Sequence, residues 1–190
     1  YDSAANVYRR DLIALALAPA YGAEGSIDAA GNIDVPAQAF DHANALVLPT
    51  VLGPRDAAPV KADPSIAGKD VPGGCIIAPG GGDNAMASLG LGLEVGDVSI
   101  SLGTSGVAAA IAQNPTYDMT GAISGFADCT GHWLPLACTI NGSRIADAGR
   151  AALGVDYDEL AELAAQSVPG AEGVTLTPYF DGERTPNRPD

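Results

Sequence analysis

Pro79-Gly80-Gly81-Gly82-Asp83-Asn84-Ala85 is the stretch on which the reading of this chain turns. Three consecutive glycines permit a sharp turn and a close approach that Cβ atoms would obstruct. They end on a carboxylate and an amide. The stretch follows an apolar run, Cys75-Ile76-Ile77-Ala78, and precedes small, helix-compatible residues. That order predicts a strand over 74–78, a glycine turn, and a helix with Asp83 at or near its N-terminus. An aspartate in that place has an ordinary role as a helix cap, worth about 1 kcal/mol. A cap does not need three glycines before it, whereas a group that a ligand must reach does. A carboxylate there can accept a hydrogen bond from a substrate hydroxyl and take its proton as phosphate is transferred. Asn84 carries both a donor and an acceptor and suits a neighbouring sugar hydroxyl.

A second turn follows, Ser101-Leu102-Gly103-Thr104-Ser105-Gly106. Read plainly, Gly103 to Gly106 is a hairpin turn of turn-forming residues. The functional alternative is a nest of backbone N–H groups around phosphate oxygens, with the Thr104 hydroxyl as a further donor. It is not a Walker A loop, because no Gly-Lys-Ser/Thr follows. An acid-base group and a phosphate cradle together suggest phosphoryl transfer to a small hydroxylated molecule.

The composition sets outer bounds. The chain has 190 residues, 47% of them hydrophobic, which suffices for a packed core and excludes disorder. Nine basic residues against 23 acidic ones give a net charge of −14. A nucleic-acid partner needs a basic face, and an anionic membrane repels an acidic one, so neither is expected. An anionic nucleotide must then be held by backbone N–H groups and a metal rather than by lysines. The cysteines, Cys75, Cys129 and Cys138, are odd in number and form no Cys-x-x-Cys, which favours a reducing, cytoplasmic setting. No signal peptide and no apolar run of about 18 residues is present. The chain begins at Tyr1 without Met and stops inside Thr185-Pro186-Asn187-Arg188-Pro189-Asp190, and is read as a piece of a longer protein.

Other elements follow from pattern. Asp11 is expected to cap a short helix through Leu17 that Pro19 ends. Residues 26–35 alternate around a glycine turn as a small hairpin, and 45–54 are an apolar strand or loop. Residues 55–73 read as a surface connection. Met86, Leu89 and Leu93 lie at helical spacing. Val98, Ile100 and Leu102 alternate with serines as a half-buried strand, with 107–112 as its hairpin partner. Trp133 to Cys138 is a further strand, Ser143 a helix cap, and Asp156 with Glu159 a capping box. Val174 to Thr177 is a last strand. The order after residue 95 is that of a mixed sheet with helices rather than a repeated βαβ unit. Cys129-x-x-His132 beside Asp128 lacks the second ligand pair that a metal site requires. Asn141-Gly142-Ser143 matches a glycosylation sequon but reads better as a helix start. His42 has no evident partner.

Gly-Gly-Gly-Asp-Asn-Ala at 80–85, Ser-Leu-Gly-Thr-Ser-Gly at 101–106 and Pro-Tyr-Phe-Asp-Gly-Glu-Arg-Thr-Pro at 178–186 resemble the FGGY carbohydrate kinases in sequence, order and separation. Within that family the likeness is greatest to the members that phosphorylate D-xylulose. It runs from about residue 36 onward, and the 22–35 hairpin looks like an insertion. The resemblance implies an α/β, ribonuclease-H-like fold of the actin and hexokinase type, with parts of two domains around a cleft. Residues 1–94 would end the first domain and 95–190 begin the second. It implies ATP and Mg²⁺, a sugar substrate, no nucleic-acid or membrane partner, and is compatible with a homodimer. Asp83 falls on the family's catalytic base and, with Asn84, on its sugar contacts. Gly103 and Thr104 fall on its ATP-phosphate turn. Arg184 and the 143–152 helix are left without a role. The fragment alone is expected to be inactive, because the family's first phosphate loop with its Mg²⁺-associated aspartate, and its adenine segment, lie outside these residues. The alternatives are a kinase for ribulose, gluconate or glycerol, and a non-catalytic actin-like binding module.

Overall fold

A computed structural model of the chain describes residues 1–66 and 72–189. The chain divides into two compact units, Tyr1–Gly80 and Gly81–Asp190.

The first unit is small and packed on alanines. Helix α1 spans Arg10–Leu17 and runs into a 3-10 turn, Ala18–Tyr21, that carries Pro19. A two-residue hairpin follows, β1 Ser26–Ile27 and β2 Ile33–Asp34, as its alternation predicts. Helix α2, Ala37–Ala45, packs on α1 through buried Ala14, Ala39 and Ala43, flanked by Ile13, Leu17, Val35 and Phe40. Small side chains at the contact let the two helices approach closely. The Arg10 guanidinium donates to the carbonyls of Ala43, Asn44 and Leu46, where the last turn of α2 leaves acceptors unpaired. Asp11 does not cap α1. Arg9 holds the N-cap position, and Asp11 sits in the first turn bound to the Arg9 guanidinium at 2.7 Å. His42 does have a partner, Tyr21 Oη at 2.8 Å from Nδ1.

The expected strand at 74–78 does not form. Among the described residues Ile76 makes one isolated bridge, to Lys61, and the approach to the glycine turn is otherwise irregular. Residues 45–54 are a loop. Of the surface connection at 55–73, residues 67–71 lie outside the described residues, and Pro64–Ile66 is a short 3-10 turn.

The second unit is a four-stranded sheet with helices. Helix α3 spans Asp83–Gly90, and the strands are β3 Val98–Leu102, β4 Gly106–Ala110, β5 Ser124–Ala127 and β6 Trp133–Thr139. Their spatial order is β3-β4-β6-β5, and every pairing is antiparallel, where the sequence suggested a mixed sheet. Short turns close the β3–β4 and β5–β6 hairpins, and the longer connection between β4 and β5 brings β6 back antiparallel against β4. Helices α4, Arg144–Leu153, and α5, Tyr157–Gln166, follow. Asp156 caps α5 by accepting the Glu159 amide at 2.9 Å. Residues 174–177 form no strand.

The core of this unit is one face of the sheet, with Ala109, Ile111, Leu134 and Leu136 covered by Ala85 of α3 and by Leu93. Register decides which side of β3 joins it. Ser99 pairs with Ala109 and Ser101 with Val107, so the two serines stand on the α3-covered face. Val98, Ile100 and Leu102 therefore point to the opposite face and are 61%, 71% and 77% exposed. The alternation predicted from sequence is present, but its apolar side is not the buried one.

Candidate active site

Asp83 is the first residue of α3, and Gly82 holds the N-cap position. The capping role is thus not taken by Asp83. Its Oδ1 accepts the Asn84 amide at 2.8 Å and the Asn84 side-chain Nδ2 at 3.3 Å. Its Oδ2 receives no hydrogen bond, and no cation pairs with it, among the described residues. The side chain is exposed. Of the three glycines, Gly80 and Gly82 face open space where a Cβ would stand. Gly81 is different: a Cβ there would lie 2.8 Å from Cys129 Sγ and 3.2 Å from Met86 Cγ. One glycine therefore sits in a crowded place against the Cys129 and Met86 side chains, and the other two leave the approach to Asp83 clear.

Asn84 is half-buried and lines a hollow of ≈ 300 Å³ between α3 and the β3–β4 edge, shared with Ser88, Ser99 and Ser101. Asp83, Gly103 and Thr104 are not among the residues that line it.

The turn at 103–105 is exposed and strapped from behind. The Gly103 amide donates inward to the Ser105 carbonyl at 3.0 Å, and the Gly106 amide to Thr139 Oγ1 at 3.0 Å. Of the four amides expected in the nest, the two of Thr104 and Ser105 make no protein hydrogen bond among the described residues. The carbonyls point the other way. Thr104 O accepts from Gly142 N–H at 2.9 Å and Gly103 O from Ser143 N–H at 2.7 Å. Ser143 occupies the N-cap position of α4, but its hydroxyl makes no capping bond. A Cβ on Gly142 would stand 2.5 Å from Gly103 O, so only glycine allows this approach.

Sequence reasoning did not weigh Glu183. Its side chain is 4% exposed and accepts four N–H groups: Ile140 and Arg184 on Oε1, Asn141 N and Nδ2 on Oε2. Burial alone raises this carboxyl. The amides of Ile140 and Arg184 and the Asn141 donors outweigh it and hold the group at about 2. The Asp128 carboxylate is likewise occupied, accepting the amides of Thr130, Gly131 and His132. Among the described residues no three His, Cys, Asp or Glu side chains gather as a metal site, so no step is assigned here to Mg²⁺.

The chain is 75% identical over its whole length to xylulose kinase from Bifidobacterium adolescentis, with a TM-score of 0.86, covering 35% of that chain. In both sequence and fold it resembles one segment of a xylulose kinase. Two curated relatives agree. Xylulose kinase from Streptomyces rubiginosus is 48% identical over 116 residues, which is 61% of this chain and 22% of that protein. Xylulose kinase from Streptomyces coelicolor is 45% identical over 145 residues, 75% of this chain and 28% of that protein. No family model matches the chain. It thus spans about a quarter of the length of these two xylulose kinases. The fold is the actin-like ATPase fold of the family, as the sequence predicts. No helix among the described residues is long and apolar enough to cross a membrane.

Proposed function

We propose that the intact protein transfers the terminal phosphoryl group of ATP to the C5 hydroxyl of D-xylulose, giving D-xylulose 5-phosphate. The observation that carries this reading is the free Oδ2 of Asp83 on an exposed first helical turn, behind two glycines that face open space. That oxygen hydrogen-bonds the sugar hydroxyl and takes its proton as the bond to phosphorus forms. Oδ1, held by the Asn84 amide, fixes the carboxylate's orientation. The Asn84 side chain, in its hollow, contacts a further sugar hydroxyl. Thr104 and Ser105 offer their unpaired amides to phosphate oxygens, and the Thr104 hydroxyl adds a donor. The Gly103 amide is engaged with the Ser105 carbonyl, so Gly103 contributes its place in the turn rather than a donor.

The same reading assigns residues 1–94 and 95–190 to the first and second kinase domains. It takes ATP with Mg²⁺ and a sugar as partners, and places the protein in the cytoplasm. The identity to xylulose kinases supports D-xylulose over ribulose, gluconate or glycerol. The test is ATP turnover by the intact protein with a panel of these sugars and polyols. Preference for D-xylulose is expected. Turnover with gluconate alone, or none with any, overturns the substrate or the activity.

A further inference from the structure

Glu183 is a buried carboxylate with no cation paired to it among the described residues. Its four donors sit in two places. Arg184 is its own neighbour, while Ile140 and Asn141 belong to the junction between β6 and α4. The Asn141 side chain also donates to Gly182 O at 2.9 Å, and Arg144 pairs with Asp181 at 2.5 Å. The segment 181–184 is thereby fastened to residues 140–144 at several points. That junction is the strap behind the turn. Gly142 and Ser143 donate to the carbonyls of Thr104 and Gly103, and Thr139 Oγ1 accepts the Gly106 amide while donating to Asn141 O at 2.9 Å.

We propose that Glu183 is a positioning residue for the phosphate turn: by clamping Ile140 and Asn141 it sets where the Thr104 and Ser105 amides point. The proposal rests on the reading of 103–105 as the nucleotide-phosphate turn. The chain of contacts is continuous. Carboxylate, strap amides, strap-to-turn bonds and outward amides follow one another without a gap. The strap-to-turn bonds consume carbonyls and an inner amide of the turn and leave the outer amides free. All four groups around Glu183 are donors, so glutamine in its place sets an NH₂ against N–H groups and cannot restore the clamp. The Asp83 site shares none of these bonds, so its sugar contacts stand apart from the clamp.

The test is steady-state kinetics on the intact protein, separating KM for ATP from KM for the sugar, with thermal melts to confirm folding at the assay temperature. Glu183→Gln is expected to raise KM for ATP between about tenfold and about 10²-fold, the scale for displacing a positioned group by an ångström or less. KM for the sugar should stay within about twofold, because uniform loss of structure would move both. Thr139→Val keeps the shape and removes the hydroxyl link, and should shift KM for ATP in the same direction by less. It decides the matter if Glu183→Gln does not fold. Gly142→Ala drives a methyl into the Gly103 carbonyl and reports on the turn itself. If Gly142→Ala leaves KM for ATP unchanged, the nucleotide reading of the turn fails. If Gly142→Ala raises it while the folded Glu183 and Thr139 variants do not, or raise both KM values in parallel, the clamp is wrong and the turn stands.

Discussion

The two glycine turns are built in opposite ways. At 80–84 the backbone is nearly unsupported, two glycines face open space, and the carboxylate at its end keeps one oxygen free. At 103–106 the backbone is bonded on its inner side at almost every group, and only two outward amides remain. The difference follows from what each turn must do. A proton acceptor needs an unoccupied lone pair that a substrate can reach. A phosphate cradle needs fixed dipoles that do not reorganise when charge arrives. Glycine serves both ends, by leaving space in one turn and, at Gly142 of the strap, by letting its backbone approach the other.

The sharpest way to break this comparison is Asp83→Asn. The amide keeps the shape and the contact to the Asn84 amide but cannot take a proton. We expect kcat on D-xylulose to fall by about 10² or more, with an unchanged melting temperature. A folded variant with near-normal kcat would reduce Asp83 to a helix-start residue. Next in size is Gly142→Ala, where a methyl meets backbone rather than a side chain that can swing away. Overpacking of this kind costs about 1–3 kcal/mol, measurable by denaturant unfolding. Glu183 supplies a third test, through pH. Its carboxyl lies at about 2 when folded, below the ordinary value of 4.5. A depressed pKa stabilises the fold fully above the unfolded value, and the benefit disappears as pH falls from about 4.5 through about 2. Unfolding curves should show wild type well above Glu183→Gln at neutral pH, and the gap should narrow across that acid window. A gap that persists at pH 2 would assign the loss to packing instead. Asn84→Ala should raise KM for the sugar by several-fold and leave kcat at saturation nearly unchanged, since it removes binding common to ground and transition states. The smallest effect belongs to Gly80→Ala, which has open space for its methyl and should alter stability by less than about 0.5 kcal/mol. A loss comparable to that of Gly142→Ala would erase the contrast between the turns.

Much of the second unit is legible in the sequence because the signals are local. Period-two alternation marks β3, the Asp156–Glu159 spacing marks α5, and the run from Asp83 marks α3. What is not legible depends on distant residues. Cys75 to Ala78 has the composition of a strand, but pairing needs a partner edge, and Lys61 alone supplies one bridge. Val174 to Thr177 fails for the same reason. Helix α2 has no acidic first turn or side-chain cap, and it is held by Ala39 and Ala43 against α1, which no local signal discloses. The exposed side of β3 follows from register with β4 rather than from its own alternation. For the site, Asp83, Asn84, Gly103 and Thr104 stand out by motif. Glu183 does not, because its donors apart from Arg184 lie some forty positions earlier and its burial arises only when 181–184 folds onto the β6–α4 junction.

The way Glu183 is neutralised has a consequence for ionic strength. A surface ion pair weakens as dissolved salt screens it beyond a Debye length of about 8–10 Å. Here the counter-charge is a set of N–H dipoles within hydrogen-bond distance of a group out of contact with water. Dissolved ions have no space in which to stand between them. A protein carrying a formal charge of −14 must feel added salt over most of its exterior. The carboxylate of the clamp is shielded from that medium, unlike the exposed Arg144–Asp181 pair beside it, so its hold on Ile140 and Asn141 should not loosen as salt is added.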